Sequence, residues 1–248
     1  MVPGTGTLLN MATVLVGSGL GVALGGRLPE RTRTTVTDAL GLVTLVIGAL
    51  NVAALSDGAF REAVGDSAPL LVVLGALLVG GIAGSLLGLE ARLERSGAWL
   101  QRRLSSTGAS AGRERFVEGF VSASLVFVVG PLAILGPLSD GLGRGIDQLA
   151  LKSTLDGFAA LAFAASFGWG VAASALSVGV VQGLLTLLGA LLGGLLPEAL
   201  VSSVTATGGV LLLGVGLRLL QVKAVAVGDM LPALAVAPVL TALVAALR

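Results

Sequence analysis

The chain is dominated by long stretches that lack any charged residue. Seven of them cover residues 1–26, 39–56, 67–89, 119–139, 157–197, 199–217 and 230–247. A membrane-crossing helix needs about 20 mostly apolar residues, and about 17 is the lower limit. Six of the stretches have room for one such helix, and the fifth has room for two. Only 12% of the residues are charged and 55% are hydrophobic, too few charges to cover the surface of a soluble domain.

The sequence therefore predicts an all-α membrane helix bundle in a single integral membrane domain, residues 1–248. Eight spans are expected near 5–26, 36–56, 68–89, 117–139, 150–167, 171–196, 199–220 and 230–247. The fifth stretch is expected to break near Ser166-Phe167-Gly168-Trp169-Gly170, which divides it into two spans. The alternative is a seven-span protein in which this stretch is one long helix.

Basic residues orient the bundle. With the N-terminus outside, the inside loops carry eleven Lys and Arg residues: Arg27, Arg31, Arg33, Arg92, Arg95, Arg102, Arg103, Arg113, Arg115, Arg218 and Lys223. The outside segments carry four: Arg61, Arg144, Lys152 and Arg248. Because basic residues are enriched in cytoplasmic loops, both termini are expected outside and loop 90–116 in the cytoplasm.

An internal repeat relates the beginning of the chain to its last third. Shifting the sequence by 168 residues places Gly25-Gly26 on Gly193-Gly194, and 12 of 28 positions in 21–48 match 189–216. The repeat halves are about 5–56 and 171–220. In the eight-span arrangement they have opposite orientations, as in many secondary transporters. In the seven-span alternative they are parallel.

Glycines recur at every fourth position in two of the predicted spans. Gly17, Gly21 and Gly25 follow this spacing, and Gly80, Gly84 and Gly88 repeat it. Small residues on one helix face let the backbones of two membrane helices approach closely. Helix packing is the expected use, and lining of a pore is the alternative.

The fourth span contains two Gly-Pro pairs, Gly130-Pro131 and Gly136-Pro137. Proline removes a backbone donor and clashes with the preceding turn. A broken helix needs protein or water around its free carbonyl groups, so a break here is typical of a transporter binding site. We include Gly130, Pro131 and the following Asp140 in the predicted substrate site. The alternative is a simple kink.

Ionisable residues stand at the start of the fifth span. Lys152 and Asp156 are four residues apart, so they lie on one helix face and can pair. An ionisable residue within a span indicates a functional site, because its desolvation is costly. The alternative is that Lys152 extends to the membrane interface and Asp156 accompanies it.

Uncharged polar residues also enter the apolar spans. Asn10 lies in the first span, Gln182 in the sixth, and Thr205 and Thr207 in the seventh. We add these four to the predicted substrate site. Hydrogen bonding between helices is the more common use of Asn and Gln in membranes.

Composition excludes several kinds of chemistry. The chain has no Cys, His or Tyr, which removes thiol catalysis, imidazole bases and thiolate metal sites. The net charge of +1 gives no reason to expect nucleic acid as a partner. The Gly-rich runs lack the Lys-Ser/Thr of a phosphate-binding loop. We therefore expect no enzyme activity, no cofactor and no bound metal, and an intramembrane enzyme is the weakest functional hypothesis.

Several motifs together resemble the YdfK/YqgA-like family of bacterial inner-membrane proteins, a domain of unknown function. They are Gly6-Thr7-Leu8-Leu9-Asn10, the turn from Gly25 to Pro29, the segment from Phe120 to Gly136, Asp140-Gly141-Leu142, Leu155-Asp156-Gly157-Phe158, Gln182-Gly183, Thr205-Ala206-Thr207-Gly208-Gly209 and Leu231-Pro232-Ala233. The resemblance covers nearly the whole chain. It implies a multi-pass protein of the bacterial inner membrane, in a family sometimes described as transporters, and it identifies no substrate.

The expected function is that of a secondary transporter or channel for a small solute or ion. The lipid bilayer and that solute are then the partners. The alternative is a membrane scaffold or sensory partner protein that transports nothing and whose glycine faces pack against other subunits, including further copies of this chain.

The orientation can be tested with single cysteines, because the chain has none of its own. Ser56→Cys should react with a membrane-impermeant thiol reagent in intact cells, and Ser105→Cys should not. The basic residues place position 105 in the cytoplasm. The opposite labelling pattern would contradict this topology.

Overall fold

In a computed structural model, the chain is described over residues 2–25, 29–92, 95, 99, 110–128, 131–143, 145–192 and 197–248. Every regular element within these ranges is helical, which confirms the all-α prediction. The helices are α1 (Thr5–Gly25), α2 (Glu30–Val52), α3 (Gly58–Val64), α4 (Pro69–Leu87), α5 (Ser110–Val128), α6 (Pro131–Gly141), α7 (Asp147–Phe167), α8 (Gly170–Leu192), α9 (Glu198–Leu219) and α10 (Ala233–Ala246). Short 3-10 helices occupy Ala53–Ser56 and Val227–Met230.

The described residues include six helical segments that are long and apolar enough to cross a membrane. A seventh arises if α5 and α6, whose axes differ by 92°, together form one bent span. The remaining predicted span is α7. It is 21 residues long, but it carries Asp147, Lys152 and Asp156 and is not among these six segments. By length and composition the structure thus supports six to seven of the eight predicted spans.

The predicted break in the fifth apolar stretch is confirmed. α7 ends at Phe167 and α8 begins at Gly170. Gly168 between them has a φ of 75°, in the left-handed region that glycine adopts without strain. The long stretch is therefore two helices joined by a tight turn.

The structure describes only one of the two predicted breaks in the fourth span. The predicted break at Gly136-Pro137 is wrong, because α6 continues through Pro137 to Gly141. Proline removes one backbone hydrogen bond from a helix. In a membrane protein, neighbouring helices and polar side chains can satisfy the carbonyl group that is left free. Gly130 lies outside the described residues, and Pro131 is the first residue of α6.

The chain divides into two compact units. The first unit contains residues 1–40, 93–128 and 132–194, and the second contains residues 41–92, 129–131 and 195–248. The first unit therefore includes α1, α5, α7 and α8, together with α6 from Leu132 onward. The second includes α2 from Gly41 onward, α3, α4, α9 and α10.

In the first unit, α1 and α7 pack with their backbones in contact through glycine. A Cβ atom on any of three α1 glycines would overlap a backbone carbonyl oxygen of α7. The contacts pair Gly17 with Gly157, Gly21 with Leu161 and Gly25 with Ala165. The residue numbers of the two partners differ by 140 in each pair, so α1 and α7 are parallel and stay in register. The predicted packing role of this glycine face is confirmed.

The other helix pairs of the first unit also have definite directions. Met11 of α1 packs against Gly179 of α8, and the hydroxyl groups of Thr7 and Thr186 are 3.3 Å apart, so α1 and α8 are antiparallel. Phe116 of α5 lies against Gly170 of α8, and Ser124 donates a hydrogen bond to Ser177 over 2.9 Å. These contacts make α5 and α8 parallel.

In the second unit, α2 and α9 form a close antiparallel pair. Each carries a glycine that lies against a leucine of the other helix. A Cβ atom on Gly48 would be 3.0 Å from Leu213, and one on Gly216 would be 2.6 Å from Leu45. The turns that precede these helices in the repeat, at 26–28 and 193–196, lie outside the described residues.

α4 of the second unit uses its glycines in the same way as α1. A Cβ atom on Gly80 or Gly84 would overlap the backbone of Ala233 or Asp229, respectively, and Gly75 faces Leu240. Along α4 the contacted residue numbers decrease from 240 to 229 as the glycine numbers increase, so α4 and α10 are antiparallel. The short helix α3 adds Phe60 to a small apolar cluster beside this pair.

The glycine contact between α1 and α7 can be tested with a matched pair of substitutions. Gly21→Ala should lower the yield of folded protein and its Tm in detergent, because the added methyl group meets a backbone carbonyl that cannot rotate away. Gly19→Ala, two residues away on an open face, should leave both quantities unchanged. Equal Tm values for the two variants would contradict the close packing.

Candidate functional site

The first unit buries an ion pair inside its apolar interior. Lys152 and Asp156 lie one turn apart on α7, and Nζ of Lys152 donates a hydrogen bond to Oδ2 of Asp156 over 2.6 Å. The two side chains are only 7% and 9% exposed. The predicted pairing is therefore present, and neither group lies on the surface of the structure.

Asn10 of α1 completes the cluster. Its Nδ2 atom donates a hydrogen bond to the same Oδ2 atom of Asp156, over 2.9 Å. Asn10 is fully buried, and its Oδ1 atom has no hydrogen-bond partner. The glycine contact between α1 and α7 makes this meeting feasible, because a short Asn side chain reaches across only when the two backbones are close. We call Asn10, Lys152 and Asp156 the polar triad.

Gln182 lies on the face of α8 that packs against α1. Gly179 and Thr186, which flank it at helical spacing, contact Met11 and Thr7 of α1. This register places Gln182 at about the depth of Leu9 and Asn10. Gln182 is fully buried, and neither its amide oxygen nor its amide nitrogen has a partner. A buried amide group without partners is costly, so Gln182 stays a candidate site residue.

Asp140 of α6 lies at the N-terminal end of α1. Its Oδ2 atom accepts hydrogen bonds from the backbone N–H groups of Gly4, over 3.1 Å, and Gly6, over 3.0 Å. Asp140 is 2% exposed. The carboxylate thereby satisfies two of the free donors of the first turn and interacts favourably with the helix dipole. Asp140 therefore caps the N-terminal end of α1.

The remaining predicted site residues lie in the second unit or outside the described part of the chain. Thr205 and Thr207 lie on α9 in the second unit. Thr207 donates its hydroxyl hydrogen to the carbonyl oxygen of Ser203 over 2.8 Å, as buried threonines in helices often do. The hydroxyl group of Thr205 is buried and has no partner. Gly130 and the side chain of Pro131 lie outside the described part of the chain.

The structure adds Thr7 and Ser18, which the sequence analysis missed. They lie with Asn10 on the buried face of α1, and the hydroxyl group of Ser18 has no partner. Val14, fully buried, separates Asn10 from Ser18. The spacing of these polar residues, three and eight positions apart, is visible in the sequence and could have identified the stripe.

The second unit contains a charged cluster of its own. The carboxylate of Glu90 accepts hydrogen bonds from the guanidinium group of Arg218 and from the backbone N–H of Gly228. Asp229 in turn accepts one from the N–H of Glu90 over 2.8 Å. These bonds connect the end of α4, the end of α9 and the start of the segment that leads into α10. With every charge paired or bonded to backbone, the cluster stabilises the helix ends.

The chemical range of the polar triad is narrow. In the residues that the structure describes, no three His, Cys, Asp or Glu side chains lie close enough to hold a metal ion. A shallow apolar groove of about 390 Å³ follows the α1–α7 contact, lined by residues such as Val16, Leu20, Phe158 and Leu161. Hydrogen bonding and charge pairing are therefore what the site offers to a ligand.

These features define a helical membrane protein with a buried polar site. The family described as "Protein of unknown function (DUF554)" matches residues 5–242, and the chain belongs to this family. It is 32% identical over 237 residues to the uncharacterized protein YqgA of Escherichia coli (strain K12), covering 96% of both chains. It is 27% identical over 234 residues to the uncharacterized membrane protein YdfK of Bacillus subtilis (strain 168), covering 94% of both. No solved structure matches it.

The pairing of Lys152 with Asp156 has a direct thermodynamic test. Lys152→Met and Asp156→Asn should each lower the Tm in detergent, because each leaves one buried charge without a counter-charge, a loss of about 3–5 kcal/mol for well-buried pairs. The double variant should unfold at a higher temperature than either single variant. If the three variants show additive losses, the two charges do not depend on each other.

Proposed function

We propose that this chain is a multi-pass protein of the bacterial inner membrane that acts as a secondary transporter or channel for a small solute or ion. The observation that carries the proposal is the polar triad, an ion pair and an amide held inside an otherwise apolar unit. Ionisable residues within membrane helices are rare, and they mark substrate, ion or proton pathways. The family name and the relatives identify no substrate.

Helix directions support eight alternating crossings. α1 and α7 are parallel, which requires an odd number of crossings between them. α2 and α4 are two apolar crossings, so the bent pair α5–α6 supplies the third. A re-entrant α5–α6 that returned to the same side would make α7 antiparallel to α1, in conflict with the contacts of Gly17 and Gly21.

The directions of the other helix pairs agree with eight crossings. α8 is antiparallel to α1 and parallel to α5, as expected for the sixth span beside the first and the fourth. α2 with α9 and α4 with α10 are antiparallel, as expected for spans two with seven and three with eight. A single long helix over α7 and α8 is incompatible with their opposite directions relative to α1. We therefore favour eight spans over seven.

Helix directions also support an inverted repeat. The repeat assigns α1 to α8 and α2 to α9, and each of these pairs is antiparallel. The contact of Gly48 with Leu213 has its counterpart, 168 residues away in each partner, in the contact of Gly216 with Leu45. Inverted repeats let a transporter change its open side when the two halves exchange conformations.

The polar residues extend far enough to form a pathway. From Gly6, bonded to Asp140, to Ser18, the stripe on α1 rises by about 18 Å at 1.5 Å per residue. The hydrocarbon core of a membrane is about 30 Å thick. Val14 interrupts the stripe, and an apolar constriction of this kind can close a pathway by excluding water. Under this proposal, the pathway would have to open at Val14 for a solute to pass.

A non-transporting scaffold would use the same helices differently. Its buried polar atoms would serve only helix packing, and water would never reach them. An enzyme would need a nucleophile or an acid–base pair aligned on a substrate, and the polar triad offers none, so we propose no catalytic activity. Access of water to the stripe on α1 therefore distinguishes a transporter from a scaffold.

Single cysteines test this access without knowledge of the solute. Ser18→Cys, nearly isosteric at a fully buried position, should react with a charged methanethiosulfonate in membrane vesicles, because an opening pathway brings water to it. Val16→Cys is the matched control at the same depth on the apolar surface, where its side chain is 63% exposed in the structure, and it should stay unreactive. Failure of Ser18→Cys to react from either side of the membrane would favour the scaffold.

A further inference from the structure

We propose that the solute accepted at the polar triad is a small neutral molecule with both hydrogen-bond donors and acceptors, of the amide or urea type. The inference rests on the proposed transport function and narrows its substrate class. It follows from the charge of the site and from the polar atoms that the site leaves without partners.

The charges of the polar triad cancel within the triad. Lys152 and Asp156 form a pair 2.6 Å apart, and α1 and α8, which pack against α7, carry no charged residue. α5 carries charged residues only in its first nine positions, near Phe116, which lies against the far end of α7 and α8. On α6, Asp140 is bonded to the backbone of Gly4 and Gly6.

A monovalent ion at this position would therefore have no counter-charge. Burying an isolated charge in an apolar interior is far more costly than burying a neutral polar group. The Oδ2 atom of Asp156 already accepts hydrogen bonds from Lys152 and Asn10, so a cation bound at that atom would compete with both donors.

The polar atoms without partners match a neutral ligand instead. Asn10 leaves one acceptor free, its Oδ1 atom, and Gln182 at the same depth leaves an acceptor and a donor free. An amide or urea carries N–H groups for the two acceptors and a carbonyl oxygen for the donor. A single small molecule of this type would satisfy all three atoms without changing the charge of the site.

Proteoliposomes give the direct test. The purified chain should raise the permeability to urea and acetamide, measured by stopped-flow light scattering, above that of protein-free vesicles. It should leave the permeability to sodium, potassium and chloride, measured with ion-selective electrodes, unchanged. Ion flux without flux of either neutral probe would overturn the inference and leave the transport function standing. If neither ions nor neutral probes move, the inference fails, and reactivity of Ser18→Cys then decides the transport function separately.

A substitution of Gln182, beside the polar triad, tests the contacts with the solute. Gln182→Leu should lower the flux of urea about tenfold, the scale of one or two lost hydrogen bonds, with unchanged folded yield. Val180→Leu, on the outward face of the same helix, is the matched control and should transport as the wild type does. Equal urea flux in the two variants would overturn the assignment of Gln182.

Variants of the charged pair test the neutrality argument. Lys152→Met leaves a site of net charge −1 and should lose urea flux and acquire a leak for potassium. Asp156→Asn leaves a net charge of +1 and should lose urea flux and acquire a leak for chloride. The double variant, neutral again, should carry more urea than either single variant and leak neither ion. A double variant as inactive as the single ones would show that the charges contact the solute, and would overturn the inference.

Discussion

The close parallel packing of α1 on α7 is the contact on which the candidate site depends. Three glycines bring the two backbones together, and at that separation Asn10 reaches Asp156 on the neighbouring helix. In a membrane there is no hydrophobic drive to bring helices together, so dispersion and hydrogen bonds between close backbones provide the stability. A wider separation would leave Asp156 with Lys152 alone and would open the apolar interface to lipid.

The buried pair and the buried amides have different energetic roles. The burial of Lys152 and Asp156 is costly, but the attraction between their opposite charges offsets part of the desolvation penalty. Gln182, the Oδ1 atom of Asn10 and Ser18 have no such compensation in the described part of the chain. A fold selected for stability alone would replace them with leucine or valine, as at Val14 and Val178 nearby. The proposed function gives these residues a use that offsets this cost.

Much of this arrangement could be predicted from the sequence, because apolar length, glycine spacing and the i, i+4 rule are local properties. They predicted the helical class, the turn near Gly168, the face of Gly17, Gly21 and Gly25 and the pairing of Lys152 with Asp156. Partners distant in the chain were not predictable in this way. No local pattern states that Asn10 meets Asp156, 146 residues away, or that Asp140 caps α1, because such contacts depend on which helices pack together.

The prediction also failed where a local rule was applied without its surroundings. Proline at position 137 was expected to end its helix, yet α6 passes through it, because one missing hydrogen bond does not outweigh the packing of the helix. Thr205 and Thr207 were assigned to the site from their polarity alone; they lie on α9 in the second unit, and their part in a site stays a prediction. Residue type alone identifies a proline or a polar side chain within an apolar span. The arrangement of the helices determines which neighbours that residue contacts.

The reciprocal contacts between α2 and α9 have a consequence for the origin of the chain. Gly48 against Leu213 and Gly216 against Leu45 have the form of an isologous interface, in which one patch pairs with a copy of itself. A half-length chain that inserted into the membrane in both orientations would make the same two contacts with its own copy. If the proposed inverted repeat arose by fusion of two such copies, each half would keep one fixed direction and would be free to diverge. Of the two helices, α9 is largely buried and α2 is not.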